Sequence, residues 1–262
     1  MTLLDSRART GVVARINPVA KLLASALIAL PLILTLDTVS AAVALALECV
    51  LFLFAGLTWR EFWLRTWPVW IAAPLTALTI LLYGEVSGEI YLDWFVVRVS
   101  DGSIALAAAT FLRVLAVALP SVVLFVTVDP TDLADGLAQV LHLPARFVLG
   151  ALAGLRMVGL FLDDWRALEL ARRARGVADR GRVRRFVGMA FALLVLSIRR
   201  GSKLATAMEA RGFGAATTRT WARASRFGWR EWVLVGVGAA ISAVAVAAAV
   251  WAGTWNFILG PR

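Results

Sequence analysis

The chain is poor in the residues that most binding and catalytic chemistry uses. It has one cysteine, Cys49, and one histidine, His142. A lone cysteine excludes an intrachain disulfide framework and a thiolate metal site. Cys49 lies inside an apolar stretch, and His142 precedes Leu143-Pro144 at an expected helix end, where a capping or surface role suits it. Acidic residues are scarce, 17 against 27 lysines and arginines, which leaves a net charge of +10. No Gly-x-x-x-x-Gly-Lys-Ser/Thr run occurs: Gly201-Ser202-Lys203 lacks the upstream glycine and the following hydroxyl, so this chain has no such phosphate-cradling loop for ATP. A cleavable signal peptide is not expected, because Arg7, Arg9, Arg15 and Lys21 precede an apolar stretch without a clear cleavage site.

What the chain has is apolar length. Residues of the hydrophobic class make up 61% of it, against about half in soluble domains, so it reads as an all-α polytopic membrane protein. Apolar runs at residues 19–36, 39–57, 66–83, 103–128 and 232–251 each approach the ~20 residues that cross a bilayer core. Trp229, Trp232, Trp251 and Trp255 bracket the last run as an interfacial belt would. The basic residues 7–21, Arg60 with Arg65, and the block 146–230 are expected in the cytoplasm; the loop 84–102, with Arg98 as its one basic residue, is expected outside. The reading is about five spans with the N-terminus cytoplasmic. It divides the chain into a membrane bundle (1–128), a cytoplasmic module of long helices (129–228) and a last span (229–262).

The cytoplasmic block carries the charge. Residues 146–230 hold 18 basic and 5 acidic residues. Such a segment suits anionic lipid or an acidic protein surface; the flanking apolar spans argue against nucleic acid. Asp129-Pro130-Thr131-Asp132 is a helix start, with Asp129 as cap, proline in the first turn and Asp132 near the positive end of the dipole. Leu133, Leu137 and Leu141 follow at four-residue steps, and Pro144 opens the next helix. Over 145–175 an apolar stripe through Val148, Leu152, Leu155, Val158 and Leu162 fails at Arg166, which predicts a bend near Asp163-Asp164 or an exit from the membrane surface there. Residues 179–185 read as a basic turn. Over 186–211, Phe191, Leu194, Ile198, Gly201, Ala205 and Met208 share a face opposite Arg200, Lys203, Ala207 and Arg211. The run 186–198 is short for a crossing and is expected to be buried against other helices.

Both long helices end alike. Ala174-Arg175-Gly176 recurs 36 residues later as Ala210-Arg211-Gly212, preceded by Ala207-Met208-Glu209. Any one copy is explained by helix-end chemistry, arginine complementing the negative dipole end and glycine supplying a left-handed stop. Two copies at the ends of two basic helices suggest docking onto a soluble two-fold partner. Inside the spans, Glu48 and Arg113 are expensive charges, and their expected similar depth predicts a structural ion pair. Gly236, Gly238, Ala240, Ala243 and Ala247 in the last run suit close helix packing.

With these residues in place, the sequence resembles the transmembrane T component of energy-coupling factor (ECF) transporters, bacterial importers of vitamins and transition metals. The resemblance covers most of the chain. It rests on Asn17-Pro18-Val19-Ala20-Lys21-Leu22, Arg113, the stretch from Thr127-Val128-Asp129-Pro130 to Leu133, Leu143-Pro144, Arg156 and the two Ala-Arg-Gly motifs; Glu231 departs from the aspartate often found at its place. The resemblance implies a non-catalytic subunit of the bacterial inner membrane, with no cofactor, metal or catalytic residue of its own. ATP and magnesium would bind to two ABC-type ATPase partners, into which the motifs insert. Ala174, Arg175, Gly176, Glu209, Ala210, Arg211 and Gly212 would form the docking pegs. A separate membrane protein, the S component, would hold the substrate. Two other classes stay open on the residues alone. A lipid-modifying intramembrane enzyme needs spaced aspartates, which neither Asp135-Gly136 nor the adjacent Asp163-Asp164 provides. A scaffold binding anionic lipid through residues 146–230 would respond to total charge, so lysine at 175 and 211 would serve it equally well.

Overall fold

The computed structural model describes residues 13–35, 37–53, 58–84, 87–94, 97–176, 181–214 and 220–255. Arg7, Arg9, Glu85 and Asp179, which the sequence reading used, lie outside them. Eight helices are described: α1 (Pro18–Leu34), α2 (Thr38–Leu53), α3 (Trp59–Tyr83), α4 (Asp101–Val126), α5 (Pro130–Gln139), α6 (Ala145–Ala174), α7 (Arg182–Ala210) and α8 (Trp229–Trp251). The described residues divide into two compact units, 13–136 with 225–255, and 137–224.

The larger unit is a helix bundle. α4 packs against α1, α2 and α3, while α8 packs against α1 and α2. Small residues set the spacing. A Cβ on Gly238 would come within 2.9 Å of the Ala24 carbonyl oxygen and 3.0 Å of its Cα, so α8 approaches α1 backbone to backbone. The remainder of the small stripe differs: Gly236, Ala240, Ala243 and Ala247 lie on the exposed side of α8. Polar contacts then fix the ends. Asn17 caps α1 by accepting from the Val19 amide, and its Nδ2 donates to Ser225 Oγ (2.8 Å) and the Arg226 carbonyl (3.0 Å). Glu231 accepts from the Gly228 amide at the start of α8 and from the Asn17 amide, so both helix starts share one carboxylate. The ammonium of Lys21, fully buried, donates to Thr127 Oγ1 at 2.7 Å.

Three sequence expectations change here. α3 begins seven residues before the apolar run, because Thr58 and Glu61 form a reciprocal capping box that starts the helix at Trp59. The expected outer loop contains a hairpin, β1 (Ile90–Trp94) with β2 (Val97–Ser100), antiparallel and paired Ile90 to Ser100 and Trp94 to Val97. Thus the all-α class holds, with one two-stranded hairpin added. The Glu48–Arg113 ion pair does not form. Arg113 donates to the Thr35 carbonyl at the end of α1, and the carboxylate acting on it is Asp37 in the α1–α2 turn. Glu48 sits ten residues into α2, roughly 15 Å deeper, fully buried with both carboxyl oxygens unbonded. The long arginine side chain reaches the open carbonyl of a helix end instead.

By length and composition, α3, α4, α6 and α8 can each cross a membrane, while α1 and α2 are shorter apolar helices of 17 and 16 residues. α6 is thus apolar enough to span, although the sequence reading placed it at the cytoplasmic face. Trp229, Trp232 and Trp251 stand exposed at the two ends of α8, as an interfacial belt requires.

Two stability outcomes follow from this packing. Gly238→Val should destabilise the bundle by about 1–3 kcal/mol through overpacking against Ala24. Glu48→Leu, which removes an unbonded buried carboxyl at similar volume, should leave the melting temperature unchanged or raised. Thermal unfolding of the detergent-purified protein reads both; a marked fall for Glu48→Leu would show that the carboxyl is satisfied by something outside this chain.

Candidate docking site

The smaller unit is built on α6 and α7. α6 runs unbroken through Asp163-Asp164, so the expected bend is absent as a helix break. The apolar stripe fails there because the charges are used between helices. Asp164 accepts from both guanidinium nitrogens of Arg200, at 2.6 and 3.3 Å. Glu169 accepts from Arg185 of α7 and from Arg173 of its own helix. Asp163 pairs with Arg166 in an exposed contact, of a kind worth about 0–1 kcal/mol. α7 begins at Arg182, so residues 182–185 form its first turn where a basic turn was expected.

The face that α7 turns to α6 also differs from expectation. Its less accessible positions include Arg185, Gly188, Met189, Ala192, Leu193 and Arg200, and of the expected stripe only Gly201 and Met208 join them. Met189 is 1% exposed, and a Cβ on Gly188 would come 3.1 Å from the Arg172 guanidinium. By contrast Phe191 is 67% exposed, Leu194 54% and Ile198 61%. Within this unit, therefore, Met189 of the run 186–198 is buried while its bulky residues Phe191, Leu194 and Ile198 are exposed, a correction with a simple cause. Gly188 and Ala192 let the helices approach on one side, while two arginine–carboxylate pairs hold that side and leave the bulky stripe facing away. Leu155, Val158 and Leu162 of α6 are exposed too.

Both helices end in the same backbone shape. Arg175 closes α6 at φ −88° and ψ 3°, and Arg211 closes α7 at φ −90° and ψ 9°. Gly176 and Gly212 follow at φ 68° and 74°, the left-handed region that side chains with a Cβ enter only at a cost of about 1–2 kcal/mol. The Gly176 amide donates to the Arg173 carbonyl, and the Gly212 amide to Glu209. At the second end the Phe213 amide also donates to Met208, completing a Schellman closure. Nothing lies within 4 Å of a Cβ built on either glycine, so the requirement is conformational and not steric. Ala174, Arg175, Gly176, Glu209, Ala210, Arg211 and Gly212 are all exposed, and neither arginine has a side-chain partner among the described residues. The arrangement presents two identically shaped cationic tips. Sequence reasoning singled out both helix ends; it missed the Asp164–Arg200 link, whose 36-residue separation equals that of Arg175 and Arg211.

Residues 10–221 match the profile of the CbiQ family, described as cobalt transport protein. This chain belongs to the CbiQ family. Among relatives of the CbiQ-family chain are proteins named energy-coupling factor transporter transmembrane protein EcfT. That of Brevibacillus brevis is 27% identical over 251 residues, covering 90% of this chain and 92% of the relative. That of Streptococcus equi is 25% identical, covering 80% and 82%, and that of Limosilactobacillus fermentum 28%, covering 66% and 68%. The matched region takes in both tips and most of the bundle.

The shared end geometry makes a specific expectation. Gly212→Asn, which tolerates the left-handed region, should retain the helix stop, whereas Gly212→Val should fray the last turn of α7. Hydrogen exchange at the Gly212 and Phe213 amides should stay slow in the first variant and quicken in the second.

Proposed function

We propose that this chain is the non-catalytic transmembrane coupling subunit, the T component, of an ECF-type importer in the bacterial inner membrane. The single observation that carries the reading is the pair of exposed arginines, without a side-chain partner among the described residues, on two helix ends of matching conformation. Two equal tips suit a partner with two equal sites, and the proposed partner is a pair of ABC-type ATPases that bind the ATP and magnesium this chain does not. Guanidinium suits such a site because it stays charged and donates in a planar fork. The exposed apolar stripe of α7 then has an occupant as well: a small membrane-embedded S component that holds the vitamin or metal-ion substrate. Motion of the ATPases would pass through α6 and α7 to that component. The N-terminus lies in the cytoplasm, on the side of the tips, in this reading.

Arg211→Ala is expected to weaken ATPase retention by about 2–5 kcal/mol if the arginine is desolvated on docking. Size exclusion of the co-expressed complex measures it, with Arg175→Ala as the matched variant. Arg211→Lys separates this reading from a lipid-binding scaffold. Loss of the ATPases from the lysine variant supports docking through the guanidinium fork; retention equal to wild type, with anionic-lipid binding unaltered, supports the scaffold.

A further inference from the structure

Asp164 and Arg200 join the two long helices at equal distances from their tips. Arg175 follows Asp164 by 11 residues, and Arg211 follows Arg200 by 11. Eleven residues of α-helix rise about 16 Å and turn through three full turns plus about 20°. Each tip arginine is therefore displaced from its end of the link by the same rise and on the same azimuth of its own helix. The other charged link between the helices lacks this symmetry: Glu169 precedes Arg175 by 6 residues, whereas Arg185 precedes Arg211 by 26. The Asp164–Arg200 contact is bidentate, at 2.6 and 3.3 Å, and both side chains are only partly exposed, so it fixes direction as well as distance.

We propose that Asp164 and Arg200 are positioning residues that set the separation of the two tips and so allow both to dock at once. This rests on the docking reading above. The physical reason is avidity. With one tip seated, the second binds at an effective concentration set by how narrowly its position is held. Loosening the link lowers that concentration and leaves the chemistry of each tip intact. The link should therefore matter only when two tips are present.

The test is a double-mutant cycle on the full-length protein in nanodiscs, with the co-expressed ABC-type ATPase pair as the probe. Asp164→Asn is expected to weaken binding about tenfold in the wild-type background. In the Arg211→Ala background, which has one tip, it should change binding by less than about twofold. The reversed pair, Asp164→Arg with Arg200→Asp, should recover most of the loss. Equal weakening in both backgrounds would overturn the proposal, because the pair would then be holding the fold of the unit. No weakening in the wild-type background, or a monodisperse reversed pair that recovers nothing, would overturn it as well. A wild-type chain that holds no ATPase would sink the docking reading itself, an outcome distinct from these.

Discussion

The two matching helix ends depend on how a right-handed helix is made to stop. Its last carbonyls need donors, and the shortest way to provide them is to turn the chain back through a left-handed residue. Glycine does this at Gly176 and Gly212 at little steric cost. The residue before the glycine then closes the helix and stands exposed at its end. Here that residue is arginine both times. The stop thus does two things: it satisfies the backbone and it fixes a permanent charge in space.

The helices are held together in an unusual way for such an apolar chain. The larger unit packs as membrane bundles do, with Gly238 against the Ala24 backbone and buried apolar clusters between α1, α2, α4 and α8. Among its polar contacts, Asn17 with Glu231 and Lys21 with Thr127 tie helix ends together. Between α6 and α7 lie arginine–carboxylate pairs, small residues, the buried Met189 and a ring contact of Trp165 with Phe186, while many of their large apolar side chains remain exposed.

Much of this was legible in the residues. The apolar runs located α1, α2, α4 and α8, Asp129 caps α5 as its Asp-Pro-x-Asp pattern foretold, and the repeated Ala-Arg-Gly marked both helix ends. Periodicity tells which side of a helix is apolar but not which side is covered, so the 186–198 stripe was read as buried when it is exposed. Counting along spans gave Glu48 and Arg113 a common depth, yet the reach of one side chain toward an open carbonyl took Arg113 to Thr35.

The sequence by itself determined the local facts: where helices run, where glycine forces a stop, and where charge cannot be tolerated without cost. These depend on neighbours a few residues away, and the chain states them directly. Tertiary structure alone decided the partners, namely that Asp164 meets Arg200, that Glu231 joins the starts of α1 and α8, and that the bulky face of α7 turns away from α6. Those outcomes depend on how closely two backbones can approach, a property of facing pairs that no single segment encodes.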